Sequence, residues 1–130
     1  MNGVTDNIHT AREQIAELEQ QSGRPRDSVT LLAVSKRQPV SKIREAAAAG
    51  MRDFGENYLQ EAVEKQRQLE DLFNLVWHFI GPIQSNKTRG ISENFDWVHS
   101  VDRSKIARRL SDQRPLHLKP LNVCIQINLS

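Results

Sequence analysis

Apolar positions along this chain change their spacing several times, and each change marks an element. From about Val4 to Gln21, the residues Ile8, Ala11, Ile15 and Leu18 recur at helical spacing, which predicts an amphipathic helix stopped by Gly23 and Pro25. Val29 to Lys36 is then an apolar, partly β-branched run, the pattern of a buried parallel strand. Pro39 and Ser41 open a second helix, from Ser41 to Ala49, whose small apolar face (Ile43, Ala46, Ala47, Ala49) suits close packing, and Gly50 ends it. Four more strands are predicted at Met51–Phe54, Leu75–Ile80, Phe95–Val101 and Leu121–Leu129. Helices from Leu59 to about Leu72, Ser85 to Gly90 and Arg103 to Ser111 fall between them.

Strict alternation of strand and helix calls for a parallel sheet with right-handed crossovers, hence an α/β fold. Two architectures satisfy it: an open doubly wound sheet, or part of a (β/α)8 barrel. A complete barrel needs about 200 residues or more. The present 130 residues end on an apolar strand with nothing after it to cover it, which reads as an unfinished barrel.

Composition narrows the class. With 130 residues and 38% hydrophobic content, one domain with one modest core is expected. The formal charge of +2, with both signs interspersed, argues against a dedicated nucleic-acid surface. No apolar run reaches membrane-spanning length, and Met1 to Asp6 lacks the pattern of a secretory signal, so the expected compartment is cytoplasmic. Cys124 is the sole cysteine and lies in an apolar strand pattern, which predicts a buried structural thiol rather than a disulfide or a zinc ligand.

Chemistry gathers at the strand exits. Lys36 ends the first strand, at the sheet edge where α/β proteins bind ligands. It is either a solvated lysine leaving a strand or an amine held in a partly dry cleft for addition to a carbonyl. Alternation pairs Val34 with Lys36, His78 with Ile80, and Val98 with Ser100; if each set faces inward, they converge with Asn57 on one cleft. Asn57 can cap the next helix or offer its amide to a bound ring. His78 fits a hydrogen-bonded core histidine, since no second histidine stands at metal-binding spacing. Dinucleotide, phosphate-loop and Ser-His-Asp signatures are missing, which leaves lysine chemistry best supported.

Four ordered motifs then carry a resemblance: Leu32 to Lys36, Phe54 to Glu61, Trp77 to Lys87, and Asp112 to Pro115. Together they make the chain, from its first helix to Ser130, similar to the pyridoxal phosphate homeostasis protein family, whose members are barrels of the alanine racemase N-terminal type. The resemblance implies that residues 1–130 are the N-terminal portion of a single-domain (β/α)8 barrel, here about five βα units. It implies that Lys36 carries pyridoxal 5′-phosphate as a Schiff base, with Val34, Asn57 and Ile80 lining the cofactor pocket and no metal. The implied role is to hold and buffer the cofactor inside the cell and to pass it to apo enzymes, without a reaction of its own. A low-activity racemase or decarboxylase is the alternative, and a non-functional fragment a third reading.

Two departures from the family stand out. The later strands, which in relatives supply the phosphate site and an arginine facing the pyridine nitrogen, lie beyond Ser130, so these residues alone are expected to hold the cofactor loosely. Gln38 replaces a second basic residue often found near the cofactor lysine. The open edge of the last strand, with Val123, Ile125 and Ile127, is expected to favour self-association.

Overall fold

Helical periods and apolar runs settle into the expected order, with boundaries shifted by a few residues. The computed structural model describes residues 3–129; Met1, Asn2 and Ser130, where the family resemblance ends, lie outside the described residues. The elements are α1 (Val4–Gln21), β1 (Ala33–Val34), α2 (Val40–Ala48), β2 (Asp53–Glu56), α3 (Leu59–Gln68), β3 (Val76–Phe79), a 3-10 turn (Ser85–Lys87), α4 (Thr88–Asn94), β4 (Trp97–Val101), α5 (Ser104–Gln113) and β5 (Asn122–Ile125).

Strand order decides between the two architectures. All neighbours are parallel, and the order is β1-β2-β3-β4-β5 without a reversal. A doubly wound sheet needs a switch point where the order turns back, which places helices on both faces. Here every right-handed crossover deposits its helix on the same face, as in a (β/α) barrel wall. The apolar cluster forms between that face and the helices: Phe54, Phe79 and Val98 from the strands meet Ile43, Ala62, Ile91 and Ile106 from α2 to α5.

Three expectations are corrected. The run Val29–Lys36 is not a buried strand. Only Ala33 and Val34 join the ladder, Val29 is 41% exposed and Val34 53%. β1 is an edge strand with a single neighbour, and the Val29 N–H is taken by the Glu19 carboxylate at 2.9 Å instead of a strand partner. Cys124 is exposed rather than buried, because β5 forms the other edge and all four of its residues are uncovered. On α1, Ile8 is buried while Leu18 stays exposed.

Where α1 departs from its apolar stripe, Glu19 takes over. It is buried, and besides Val29 it accepts the Asp27 N–H at 3.2 Å and the Ser28 hydroxyl at 3.4 Å. It thereby holds a turn in which Asp27 adopts a left-handed φ of 65°. The Val29 N–H lowers the Glu19 carboxyl from its ordinary value, burial opposes this, and the Asp27 and Ser28 donors add to the lowering. The sign follows: stability from Glu19 is fully present above the unfolded carboxyl value of about 4.3 and is lost as pH falls through the lower folded value. Glu19→Gln should therefore lower the melting temperature at pH 7, with the gap from the parent closing in acid. A gap that stays constant from pH 7 to pH 3 would show that the charge plays no part.

Candidate functional site

Lys36 stands two residues past the end of β1, so the strand's end decides where its side chain begins. The Ser35 N–H donates to the Gly55 carbonyl at 2.9 Å, extending the β1–β2 contact by one residue. The chain then turns sharply: Gln38 N–H closes on Ser35 O at 3.1 Å, and Arg37 takes a left-handed φ of 62°. Lys36 sits at the head of this turn, exposed, with no hydrogen-bond partner among the described residues. The partly dry cleft read from the sequence is not formed around Lys36 by these residues; its amine faces open space.

Register places the other predicted residues beside it. Val34 pairs with Gly55, and Gly55 with His78, so these three share the face opposite the helices. A Cβ on Gly55 would stand 2.9 Å from Ile80 Cδ1 and 3.5 Å from Leu32 Cδ2. Glycine here lets Ile80 and Leu32 lean over β2, giving an apolar floor next to Val34. Asn57, the residue right after β2, has its Oδ1 buried without a partner among the described residues. Its backbone is pressed against Gly81, where an added Cβ would fall 2.7 Å from the Asn57 carbonyl oxygen and 3.0 Å from its Cα.

That contact carries a prediction. Gly81→Ala must push apart two backbones rather than a flexible side chain, and should destabilise by about 1–3 kcal/mol, the usual range for overpacking. Urea denaturation reads it as a lower midpoint at unchanged slope. An unaltered midpoint would mean that the Asn57 and Gly81 loops are not in contact.

One conditional placement fails. Val98 pairs with Phe79, not with His78, so Val98 and Ser100 lie on the helix-covered face. Val98 is fully buried there, and the Ser100 hydroxyl donates to the Gly81 carbonyl, bracing the loop after β3 from behind. The residues that do share the inner face with His78 are Trp97 and His99 of β4.

Sequence reasoning missed a polar chain there. His78 Nε2 lies 2.7 Å from Asp53 Oδ2, and His78 Nδ1 lies 2.9 Å from His99 Nε2, with the Trp97 ring stacked on His78 at 5.8 Å. Burial, and then the neighbouring His78, hold the His99 imidazole below its ordinary value. Asp53 accepts from His78 Nε2–H, and one hydrogen is shared between His78 Nδ1 and His99 Nε2. Period-two alternation could have put Asp53, His78 and His99 on one face, but only the strand register makes them neighbours. No group of three or more His, Cys, Asp or Glu suited to a metal ion occurs among the described residues.

Arg114 explains the fourth motif. Its guanidinium donates to the Ser92 carbonyl at 2.7 Å, the Phe95 carbonyl at 2.6 Å and the Lys119 carbonyl at 2.8 Å, tying the end of α4 to the loop before β5. It is a structural clasp, remote in sequence and in its contacts from the Lys36 turn.

Comparison with known proteins agrees with this fold. Residues 7–130 match the family model described as alanine racemase, N-terminal domain. The pyridoxal phosphate homeostasis protein of Pseudomonas aeruginosa is 62% identical over 130 residues, which are all of this chain and 56% of that relative. That of Escherichia coli is 53% identical over 132 residues, again all of this chain and 56% of the relative. The chain thus spans little more than half the length of the curated relatives it matches. PipY of Synechococcus elongatus, solved with PLP bound, superposes with a TM-score of 0.66 at 52% identity, over 78% of this chain and 47% of that one. With the family model matching nearly its whole length and a sheet wound in a single direction, the chain belongs to the alanine racemase N-terminal domain family.

Proposed function

We propose that this chain binds pyridoxal 5′-phosphate through Lys36 and serves the intracellular balance of that cofactor. The observation that carries the reading is Lys36 itself: an exposed amine at the carboxyl end of β1, in a family whose 52% identical member PipY was solved with PLP bound. The residues nearby fit such a group. An aldehyde needs an accessible amine, and a planar ring needs an apolar wall such as Val34 and Ile80. The Lys36 nitrogen adds to the aldehyde carbon, water leaves, and a Schiff base results without change of oxidation state.

On this reading residues 1–130 are one portion of a single-domain (β/α)8 barrel. Its phosphate grip comes from later strands, as barrel enzymes place that grip after strands 7 and 8. The protein acts in the cytoplasm as a carrier that hands the cofactor to apo enzymes, not as a catalyst; no helix among the described residues is long and apolar enough to cross a membrane. The exposed edge at β5, where Ile125 is 75% exposed, takes a further strand, either from the same chain or from a second copy.

The test is chemical. The full-length protein is mixed with pyridoxal 5′-phosphate, reduced with borohydride and digested, and the label is expected on the peptide containing Lys36. A label on other lysines only, or none, overturns the reading. Solvent deuterium should not enter the α-position of added amino acids; exchange that depends on Lys36 would make the protein a racemase-type enzyme instead.

A further inference from the structure

On the helix-covered side of the sheet, charged groups are buried directly behind the Lys36 turn. There the Lys65 ammonium, buried under α3, donates to the Ser35 carbonyl at 2.7 Å, to Glu56 Oε2 at 3.0 Å and to Glu61 Oε1 at 2.7 Å. Glu56 is fully buried and also accepts the Ser35 hydroxyl. Glu61 accepts the Arg37 backbone N–H. The Arg37 guanidinium meanwhile reaches the Tyr58 hydroxyl at 3.1 Å and lies over its ring at 5.3 Å. Both neighbours of Lys36 are therefore tied to one buried cation and its two carboxylates, while Lys36 is tied to nothing among the described residues.

Stability alone gives this cluster little reason to exist. A buried ion pair is commonly no better than well-packed apolar residues of the same volume, and elsewhere on this face the strands use Phe54, Phe79 and Val98. What the ions do, and apolar groups cannot, is hold backbone atoms of the turn. The clamp also stabilises the left-handed Arg37, a conformation that a side chain other than glycine adopts at some energetic disadvantage.

We propose that Lys65, Glu56 and Glu61 are positioning residues that fix the Ser35–Arg37 turn and so set where the Lys36 amine stands relative to an incoming aldehyde. The proposal rests on Lys36 being the reacting amine. Burial raises the Glu61 carboxyl, but the hydrogen bonds from Lys65 and the Arg37 N–H outweigh it and leave a net lowering, so Glu61 is charged at neutral pH. Glu61 is the member to vary, since its side chain is only partly buried, at 30% exposure.

The experiment uses the full-length protein and compares Glu61→Ala with Glu61→Gln, which keeps an acceptor oxygen for the Arg37 N–H. Three quantities are read: hydrogen exchange at the Arg37 amide, the affinity of pyridoxal 5′-phosphate attachment, and cofactor-free modification of Lys36 by formaldehyde and borohydride. Glu61→Ala should expose the Arg37 amide and weaken attachment about tenfold, a modest part of what misplacing a reacting group by an ångström can do. Glu61→Gln should recover both. The double variant Glu56→Leu with Lys65→Met leaves neither member of the pair alone with a buried charge, and should melt cooperatively yet show the same weakened attachment. Attachment unchanged in Glu61→Ala, or no recovery in Glu61→Gln, overturns the proposal. If the parent attaches no cofactor, the Lys36 reading falls separately. The clamp is then judged on formaldehyde alone, whose rate at Lys36 must change in Glu61→Ala and return in Glu61→Gln.

Discussion

Lys36→Ala should abolish cofactor attachment while leaving the fold in place. The side chain is exposed, accepts and donates no hydrogen bond among the described residues, and takes no part in the apolar cluster. Its removal should shift the melting temperature by no more than about 3 °C, as for ordinary surface positions. The covalent bond to the aldehyde, by contrast, needs a lysine amine at this strand exit. Lys65 is buried and engaged with three oxygen-bearing partners, so it cannot turn outward without leaving Glu56 uncompensated. The visible absorbance band of the bound cofactor should vanish, and the borohydride-stable label with it. A Lys36→Ala protein that keeps the band would move the reacting amine elsewhere.

Phe95→Ala carries the largest expected loss of stability. Phe95 is 2% exposed and meets Phe79 edge to face, with ring centroids 5.3 Å apart, so it joins the segment after α4 to β3. Truncating a buried phenylalanine costs about 3–5 kcal/mol, from lost transfer energy and from the cavity left behind. An edge-to-face aromatic pair adds about 0.5–1.5 kcal/mol beyond area. Set against a total stability of about 5–15 kcal/mol, the change removes a large part of the folded population's margin. Urea denaturation should show a much lower midpoint; a loss below about 1 kcal/mol would mean that the site collapses to fill the gap.

What could be read in advance divides along physical lines. α1 has the bounds its periodicity gave, Val4 to Gln21, because helical spacing is a local property. The placement of Lys36 at a strand exit was legible for the same reason: an apolar run followed by a turn needs no knowledge of neighbours. The length of β1 and the exposure of Cys124 were not legible, since both depend on these strands being edges, and an apolar run reads alike at an edge and at a centre. The face taken by Val98 required the register with Phe79, and a slip of one residue reverses every side chain. His99 and Asp53 joined His78 through that same register. Glu56 stands at the end of β2 and Lys65 on α3; that both are buried, and that they meet, depends on how α3 crosses the sheet, which no local pattern shows.

The winding of the sheet also bears on how the molecule comes into being. Each strand pairs with the one made just before it, and bridges such as Phe54 to Trp77 or Trp97 to Asn122 join residues only about two dozen positions apart. Contacts of short sequence separation close with little chain entropy and form quickly. Among the described strands, every pairing is with the strand made just before or just after. Chain growth from the N-terminus at about 5–20 residues per second therefore offers each newly emerged strand a finished edge to dock against, and the sheet can grow in the order of synthesis.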